Sequence, residues 1–381
     1  MTSDKALVTG YLFSCGGEDT VVCMMHPREM NVTQYLVPDL LKAGVAVWIQ
    51  GARSPGNDIR LEHEKALLDM AAGQVFLRAR GFRHTVLQGT SGGGPLAAFY
   101  CEQSGLAPQD RIAASPGGRP TGLTSADMPP PDGVVFVSAH LGQGELLRNC
   151  IDPSVVDEND PLRTDAGLSA FEPANGYVPA PDSARYEAEF LTRYRAAQAD
   201  RIRRIDAFAL ESLARKAEAR KRVKAGDQTA TYLAAWSPIF QVWRTDADPR
   251  CFDLSLDPSE RAYGTLWGAN QIASNYGSVG FARVCTPESW LSNWSAFHSN
   301  AGMERCAPSI SQPVLMIEYT GDNSVFPQEA DRIFAAIGTA DKERHKIHGN
   351  HHGRPVDPDR PNGQLLAAQA ITDWLQSKGF I

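Results

Sequence analysis

Strand-like and helical segments alternate along the first third of the chain, and this alternation restricts its fold more than any other feature. Apolar runs with strand character are separated by segments of helical periodicity, and each helical segment ends at a glycine. We predict strands at 6–15, 20–26, 45–52, 84–89 and 134–140, and helices at 31–44, 58–81 and 93–105. Strands that alternate with helices predict an α/β fold with a mostly parallel sheet.

The alternation stops near residue 141 and returns at residue 313. We predict two further strands at 313–320 and 345–349, and two further helices at 327–338 and 362–379. The chain between them begins with loops rich in Asp, Pro and Gly, and then carries a long helical segment at 185–224. We therefore expect two core segments, 1–140 and 306–381, which are separated by an inserted cap, 141–305.

Two features of the insertion each have a structural and a functional interpretation. The helical segment 185–224 carries 12 basic and 6 acidic residues, so it is either a solvated helix or a cationic lid over an acidic substrate. Five of the seven tryptophans form either the core of a subdomain or the wall of an apolar pocket. These five are Trp236, Trp243, Trp267, Trp290 and Trp294. We expect substrate contacts from Trp236, Trp243 and Trp267.

Composition excludes several classes of function. The net charge of -7 argues against nucleic acid or an anionic membrane as the partner. The seven cysteines include no C-x-x-C pair, which predicts reduced thiols and no cysteine metal site. No stretch approaches the ~20 apolar residues that cross a bilayer, and we expect a cytoplasmic protein.

The sequence Q-G-T-S-G-G-G at 88–94 is the strongest indication of chemistry. Gly89, Ser91 and Gly93 fit the G-x-S-x-G nucleophile elbow, with a predicted strand before the motif and a predicted helix after it. The alternative is a glycine-rich phosphate loop, but no Lys follows as in a P-loop, and the motif does not follow the first strand as in a dinucleotide-binding fold. The pattern therefore predicts that Ser91 is a nucleophile.

A serine nucleophile needs a histidine that takes its proton and a carboxylate that orients the histidine. Asp322 follows the strand at 313–320 and is the expected acid; Glu318 is its rival but lies inside the strand. The base is expected in the loop G-N-H-H-G, where His351 and His352 compete. His352 is favoured because it lies three residues after the first glycine. Metal binding by these histidines is the alternative, and it lacks a matching set of acidic or cysteine ligands nearby.

The oxyanion donors are expected on both sides of Ser91. One is the N–H of Gly92, the residue after the nucleophile. The other is expected from the loop that follows the second strand, where Pro27 has no N–H and Arg28 is the next residue that can donate. His26 begins this loop and is expected to contact the substrate.

Taken together, these residues resemble the α/β-hydrolase superfamily over about 1–140 and 306–381. The stretches MMHPREMN, SPGND and GTSGGG also resemble a bacterial subgroup of it, in which a Trp often occupies the position of Thr90. The resemblance implies an eight-stranded, mostly parallel sheet, an inserted, largely helical cap, a covalent acyl-enzyme, and neither metal nor organic cofactor.

Three functions are compatible with these residues. The first is hydrolysis of a carboxylic ester or thioester with a bulky, apolar acyl group, through Ser91, Asp322 and His352. The second is hydrolysis of a C–C bond in a ring-cleavage product, which the same residues can perform. The third is ligand binding without catalysis. The expected partner is a small-molecule ester or thioester, and a homodimer is left open.

Overall fold

The computed structural model describes all residues from 1 to 381 and contains one seven-stranded sheet. The strands are β1 (Gly10–Phe13), β2 (Thr20–Met25), β3 (Ala46–Gln50), β4 (His84–Thr90), β5 (Gly133–Val137), β6 (Val314–Tyr319) and β7 (Lys342–Ile347). Their order across the sheet is β1-β3-β2-β4-β5-β6-β7. Only β1 is antiparallel to its neighbour, and every other pair is parallel.

This architecture is that of the α/β-hydrolase fold, so the fold expected from the resemblance is confirmed. Each of the seven predicted strand segments forms one strand, and the eighth strand implied by the resemblance is not present. The central strands are mostly apolar because both of their faces are buried, and their exceptions include Gln88 and Glu318. One large cluster of buried apolar side chains covers each face of the sheet.

Eleven α-helices cover these two faces or build the insertion between β5 and β6. They are α1 (Val37–Lys42), α2 (His63–Ala79), α3 (Gly93–Gly105), α4 (Gln143–Cys150), α5 (Ala188–Lys224), α6 (Thr231–Ala235), α7 (Gln271–Tyr276), α8 (Pro287–Ser289), α9 (Met303–Cys306), α10 (Pro327–Ala336) and α11 (Gly363–Ser377). Two helices begin later than the sequence predicts. Residues 31–36 form turns before α1, and extended backbone at Leu61 and Glu62 separates a short turn from α2.

The insertion between β5 and β6 is built around α5, the longest helix of the protein with 37 residues. Its apolar stripe, which includes Phe190, Ile202 and Ile205, is buried. Arg201 on this helix is also buried and pairs with Glu158 at 2.7 Å. The rest of the insertion is irregular chain with short helices. None of the helices is both long and apolar enough to span a membrane.

Candidate active site

Ser91 occupies a tight turn between the end of β4 and the start of α3. Its φ is +52°, a left-handed conformation that costs energy for a residue with a side chain. The neighbouring glycines are required for steric reasons. A Cβ on Gly89 would lie 2.5 Å from the carbonyl oxygen of Gly93, and one on Gly93 would collide with the carbonyl oxygen of Met25. Ser91 is therefore held in the strained geometry of a nucleophile elbow.

Asp322 lies in the loop after β6, and it is almost completely buried. Its Oδ1 accepts the backbone N–H groups of Ser324, at 2.7 Å, and Val325, at 3.0 Å. These bonds fix the carboxylate, and its Oδ2 lies 2.8 Å from Nδ1 of His351. Glu318, the rival acid, instead pairs with Arg344 at 2.7 Å. The structure thus provides Asp322 with the histidine partner that an acid of a triad needs.

The histidine that meets Asp322 is His351, so the expectation that Asp322 orients His352 is wrong. His351 is 2% exposed, whereas the His352 side chain is exposed. Burial alone lowers the pKa of His351, but the charge of the Asp322 carboxylate and its hydrogen bond have the opposite effect. The net result is a pKa raised above its ordinary value.

The reason lies in the turn that Asn350 organises. Its side-chain oxygen accepts the N–H groups of His352, at 3.0 Å, and Arg354, at 3.1 Å, while its carbonyl accepts the N–H of Gly353 at 2.7 Å. The chain reverses within these residues, so that His351 is buried against Asp322, whereas His352 is exposed and also lines the Ser91 cavity. Counting positions from the preceding glycine assumed an extended loop and missed this reversal.

Ser91 and His351 line one cavity of about 400 Å³, without a hydrogen bond between them. Part of the lining is the polar loop after β2, which extends from His26 to Tyr35. Another part comes from the insertion and is mainly apolar: Leu146, Leu266, Trp267, Phe281 and Trp294. The two parts meet where the Arg28 guanidinium lies 4.8 Å from the centroid of the Trp294 ring. No residue of α5 contributes to it.

The tryptophans of the insertion have different environments. Trp267 and Trp294 line the cavity, and each ring packs against Phe281. Trp236 is 54% exposed and belongs to a separate surface groove. Trp243 lies under the guanidinium of Arg283 and Trp290 is buried, with its Nε1 donating to Asp206 at 2.7 Å. The expectation that Trp236 and Trp243 share the Ser91 cavity is wrong.

The two expected oxyanion donors differ in whether their N–H groups already have a hydrogen-bond acceptor within the chain. The N–H of Gly92 makes no hydrogen bond within the chain and lies at the N-terminus of α3. The N–H of Arg28 donates to Nδ1 of His26 at 3.2 Å, and its guanidinium pairs with Asp58 at 2.9 Å. The expectation that Arg28 provides a free donor is therefore wrong, because its N–H already has an acceptor.

Two further histidines, His26 and His140, are buried at the rim of the same cavity. Burial lowers the pKa of each to about 3, so both are neutral at ordinary pH. His26 was expected to contact the substrate, whereas His140 was not predicted. His140 could have been recognised because it follows the carboxyl end of β5, the strand next to β4. No group of three or more His, Cys, Asp or Glu side chains is arranged to hold a metal ion.

Comparisons with solved structures find the following similar proteins. A monoacylglycerol lipase from Paleococcus ferrophilus is 16% identical, with a TM-score of 0.43, over 97% of this chain and 99% of that one. An esterase from Pyrococcus furiosus is 12% identical, with a TM-score of 0.46, over 99% and 88%. A bromoperoxidase from Bacillus anthracis is 16% identical, with a TM-score of 0.38, over 100% and 97%. No family model matches the sequence, and no curated protein is similar to it.

Proposed function

We propose that the protein is a serine hydrolase that cleaves a carboxylic ester or thioester through Ser91, His351 and Asp322. The observation that carries this proposal is the strained Ser91 turn in the same cavity as a histidine that is hydrogen-bonded to a buried carboxylate. A buried Asp–His pair in the same cavity as a half-buried serine is the arrangement that activates serine for attack on a carbonyl. In unliganded enzymes the serine–histidine contact is often long and tightens when substrate binds.

The reaction follows from these positions. Ser91 Oγ attacks the carbonyl carbon while its proton passes to Nε2 of His351, and the π electrons of the carbonyl move to its oxygen. The oxygen then regains its double bond, the bond to the leaving group breaks, and His351 gives that group its proton. Water, with its proton taken by His351, attacks the acyl-Ser91 ester and releases the acid. Asp322 keeps His351 in the required tautomer and stabilises its charged form.

The shape of the cavity supports an acyl group that is apolar on at least one side. The wall of Trp267, Phe281 and Trp294 offers apolar surface next to Ser91, which favours burial of hydrocarbon. The loop from His26 to Tyr35 offers hydrogen-bonding groups in the same cavity. We therefore propose that the acyl chain lies along the tryptophan wall and that the leaving group lies along the loop.

Replacement of Ser91 by Ala tests the proposal. We expect the wild-type protein to hydrolyse members of a panel of p-nitrophenyl esters and acyl-CoA thioesters, and to react with a fluorophosphonate probe. Ser91→Ala should lose about 10⁴-fold or more in kcat and should not be labelled. A Ser91→Ala protein that keeps a tenth of the wild-type kcat would falsify the assignment.

A further inference from the structure

His26 and His140 make the same local contact on opposite sides of the nucleophile. His26 follows β2 and His140 follows β5, and these are the two strands that flank β4. In each case the imidazole Nδ1 accepts the backbone N–H two residues further along the chain. The distances are 3.2 Å from Arg28 N and 3.2 Å from Gly142 N. This contact fixes both rings with Nδ1 as the acceptor.

The remaining nitrogens of these two rings converge over Gly92. A Cβ built on Gly92 would lie 2.9 Å from Nε2 of His26, 3.3 Å from Nε2 of His140 and 3.0 Å from Nε2 of Gln143. The only hydrogen bonds of these two rings within the chain are at Nδ1, so each Nε2 is left for a ligand, and both residues line the Ser91 cavity. The glycine at position 92 therefore keeps open a space that three side-chain nitrogens border, two of which belong to imidazole rings.

Both of these nitrogens are donors. A neutral imidazole carries one proton, and a ring whose Nδ1 accepts a hydrogen bond carries that proton on Nε2. Burial lowers the pKa of each histidine to about 3, so neither ring gains a second proton near neutral pH. The pair thus offers two N–H groups without bringing a positive charge close to His351.

We propose that His26 and His140 are catalytic residues whose Nε2–H groups bind the oxyanion that forms when Ser91 attacks the substrate carbonyl. They act beside the N–H of Gly92. The inference rests on the proposed function, because the oxyanion arises from attack by Ser91. Neither histidine transfers a proton. Each donates one hydrogen bond to the oxygen that receives the electron pair of the carbonyl.

The local sequence explains why side chains take this role. Pro27 has no N–H, and the N–H of Arg28 is bound to His26. The loop after β2 therefore presents no free backbone donor at its first two positions after His26. It does, however, use the Arg28 N–H to hold the His26 ring with Nε2 toward the cavity. A backbone donor is thus replaced by a side-chain donor that the same backbone group orients.

The test compares variants that keep or remove the donor. His26→Leu and His140→Leu remove the Nε2–H, whereas His26→Gln and His140→Gln keep an N–H at a similar reach. The readouts are the rate of fluorophosphonate labelling of Ser91 and the steady-state kinetics with the p-nitrophenyl ester that the wild type hydrolyses fastest. We expect each Leu variant to lose about 10²-fold in kcat and in labelling rate, with KM within about threefold. Each Gln variant should have a kcat and a labelling rate at least tenfold higher than those of the corresponding Leu variant.

His84→Leu is the matched control, because His84 lies at the opposite end of β4 and packs against Phe380. It should keep the wild-type labelling rate, and thermal unfolding should show that all variants remain folded. Leu variants that label at the wild-type rate, or that raise KM without lowering kcat, overturn the inference while leaving the proposed function intact. If the wild type is neither labelled nor active, both fail. If the Leu variants do not fold, the Gln variants decide: a kcat that is lowered by up to about tenfold with an unchanged KM supports donation by the N–H, and a change in KM alone contradicts it.

Discussion

The two sides of the cavity are built in different ways. The groups proposed to do the chemistry follow β2, β4, β5, β6 and β7, and all of them meet at one edge of a buried sheet. Backbone hydrogen bonds hold them: Asp322 accepts two N–H groups, and His26 accepts one. The apolar part of the lining comes from the insertion and includes rings in mutual contact, such as Trp267 and Phe281 at 4.6 Å between ring centroids.

This difference suggests that the sheet edge determines the reaction rate and that the insertion determines the preference among substrates. Hydrogen bonds are directional, so a displacement of 1 Å at the sheet edge removes the interactions on which catalysis depends. Contacts between apolar surfaces are non-directional, and their contribution scales with the buried area. Changes at the sheet edge should therefore lower the rate for every substrate. Changes in the insertion wall should alter the preference among substrates by smaller factors.

The largest effect should come from the histidine loop, where neighbouring residues provide an internal control. His351→Ala removes the proton acceptor, and we expect a loss of about 10⁴-fold in kcat, close to that of Ser91→Ala, because the three residues act as a unit. His352→Ala should keep kcat within about tenfold, since that side chain is exposed and has no contact with Asp322. Steady-state kinetics on both variants decides the matter. The opposite ranking would restore His352 as the base.

Asp322→Asn should have the next largest effect. The amide removes the charge that keeps the His351 pKa raised, so we expect a loss of about 10³–10⁴-fold in kcat. The pH profile should change as well. His351 accepts a proton only when it is neutral, so wild-type activity falls as the pH drops through its raised pKa. In Asp322→Asn burial dominates and that pKa falls, so the acidic limb of kcat/KM should move to lower pH. An unchanged acidic limb would contradict the assignment.

Much of the sheet edge could be predicted from the sequence because its features are local. The strand, the tight turn and the helix around Ser91 need specific residues at fixed spacing. The glycines on both sides of Ser91 can therefore be recognised in the sequence. Asp322 was recognisable because it directly follows a buried strand. The choice between His351 and His352 depended on a side-chain turn at Asn350. Such a turn reverses the chain without changing the hydrophobic pattern, so spacing alone pointed to the wrong residue.

The insertion was less accessible to prediction. The helix at Ala188–Lys224 follows from periodicity. The cavity wall, however, combines residues that are far apart in sequence, from Leu146 to Trp294. No local rule distinguishes Trp267, which lines the cavity, from Trp236, which lies on the surface. His140 was overlooked for a related reason: its role depends on a neighbouring strand, and parallel neighbours are not adjacent in the chain.

The smallest effect should come from the tryptophan wall, and a second tryptophan provides the control. Trp267 and Trp236 are 36% and 54% exposed, so removing either ring should be tolerated by the fold. Trp267→Ala takes apolar surface from the cavity, and we expect about a tenfold loss in kcat/KM for a long-chain p-nitrophenyl ester relative to the acetate. A tenfold change corresponds to about 1.4 kcal/mol, which is the contribution of a partly buried ring. Trp236→Ala should leave this ratio within about twofold. Equal changes in both variants would mean that the wall does not contact the acyl chain, whereas a uniform loss for all esters in Trp267→Ala would place this ring with the catalytic side of the cavity.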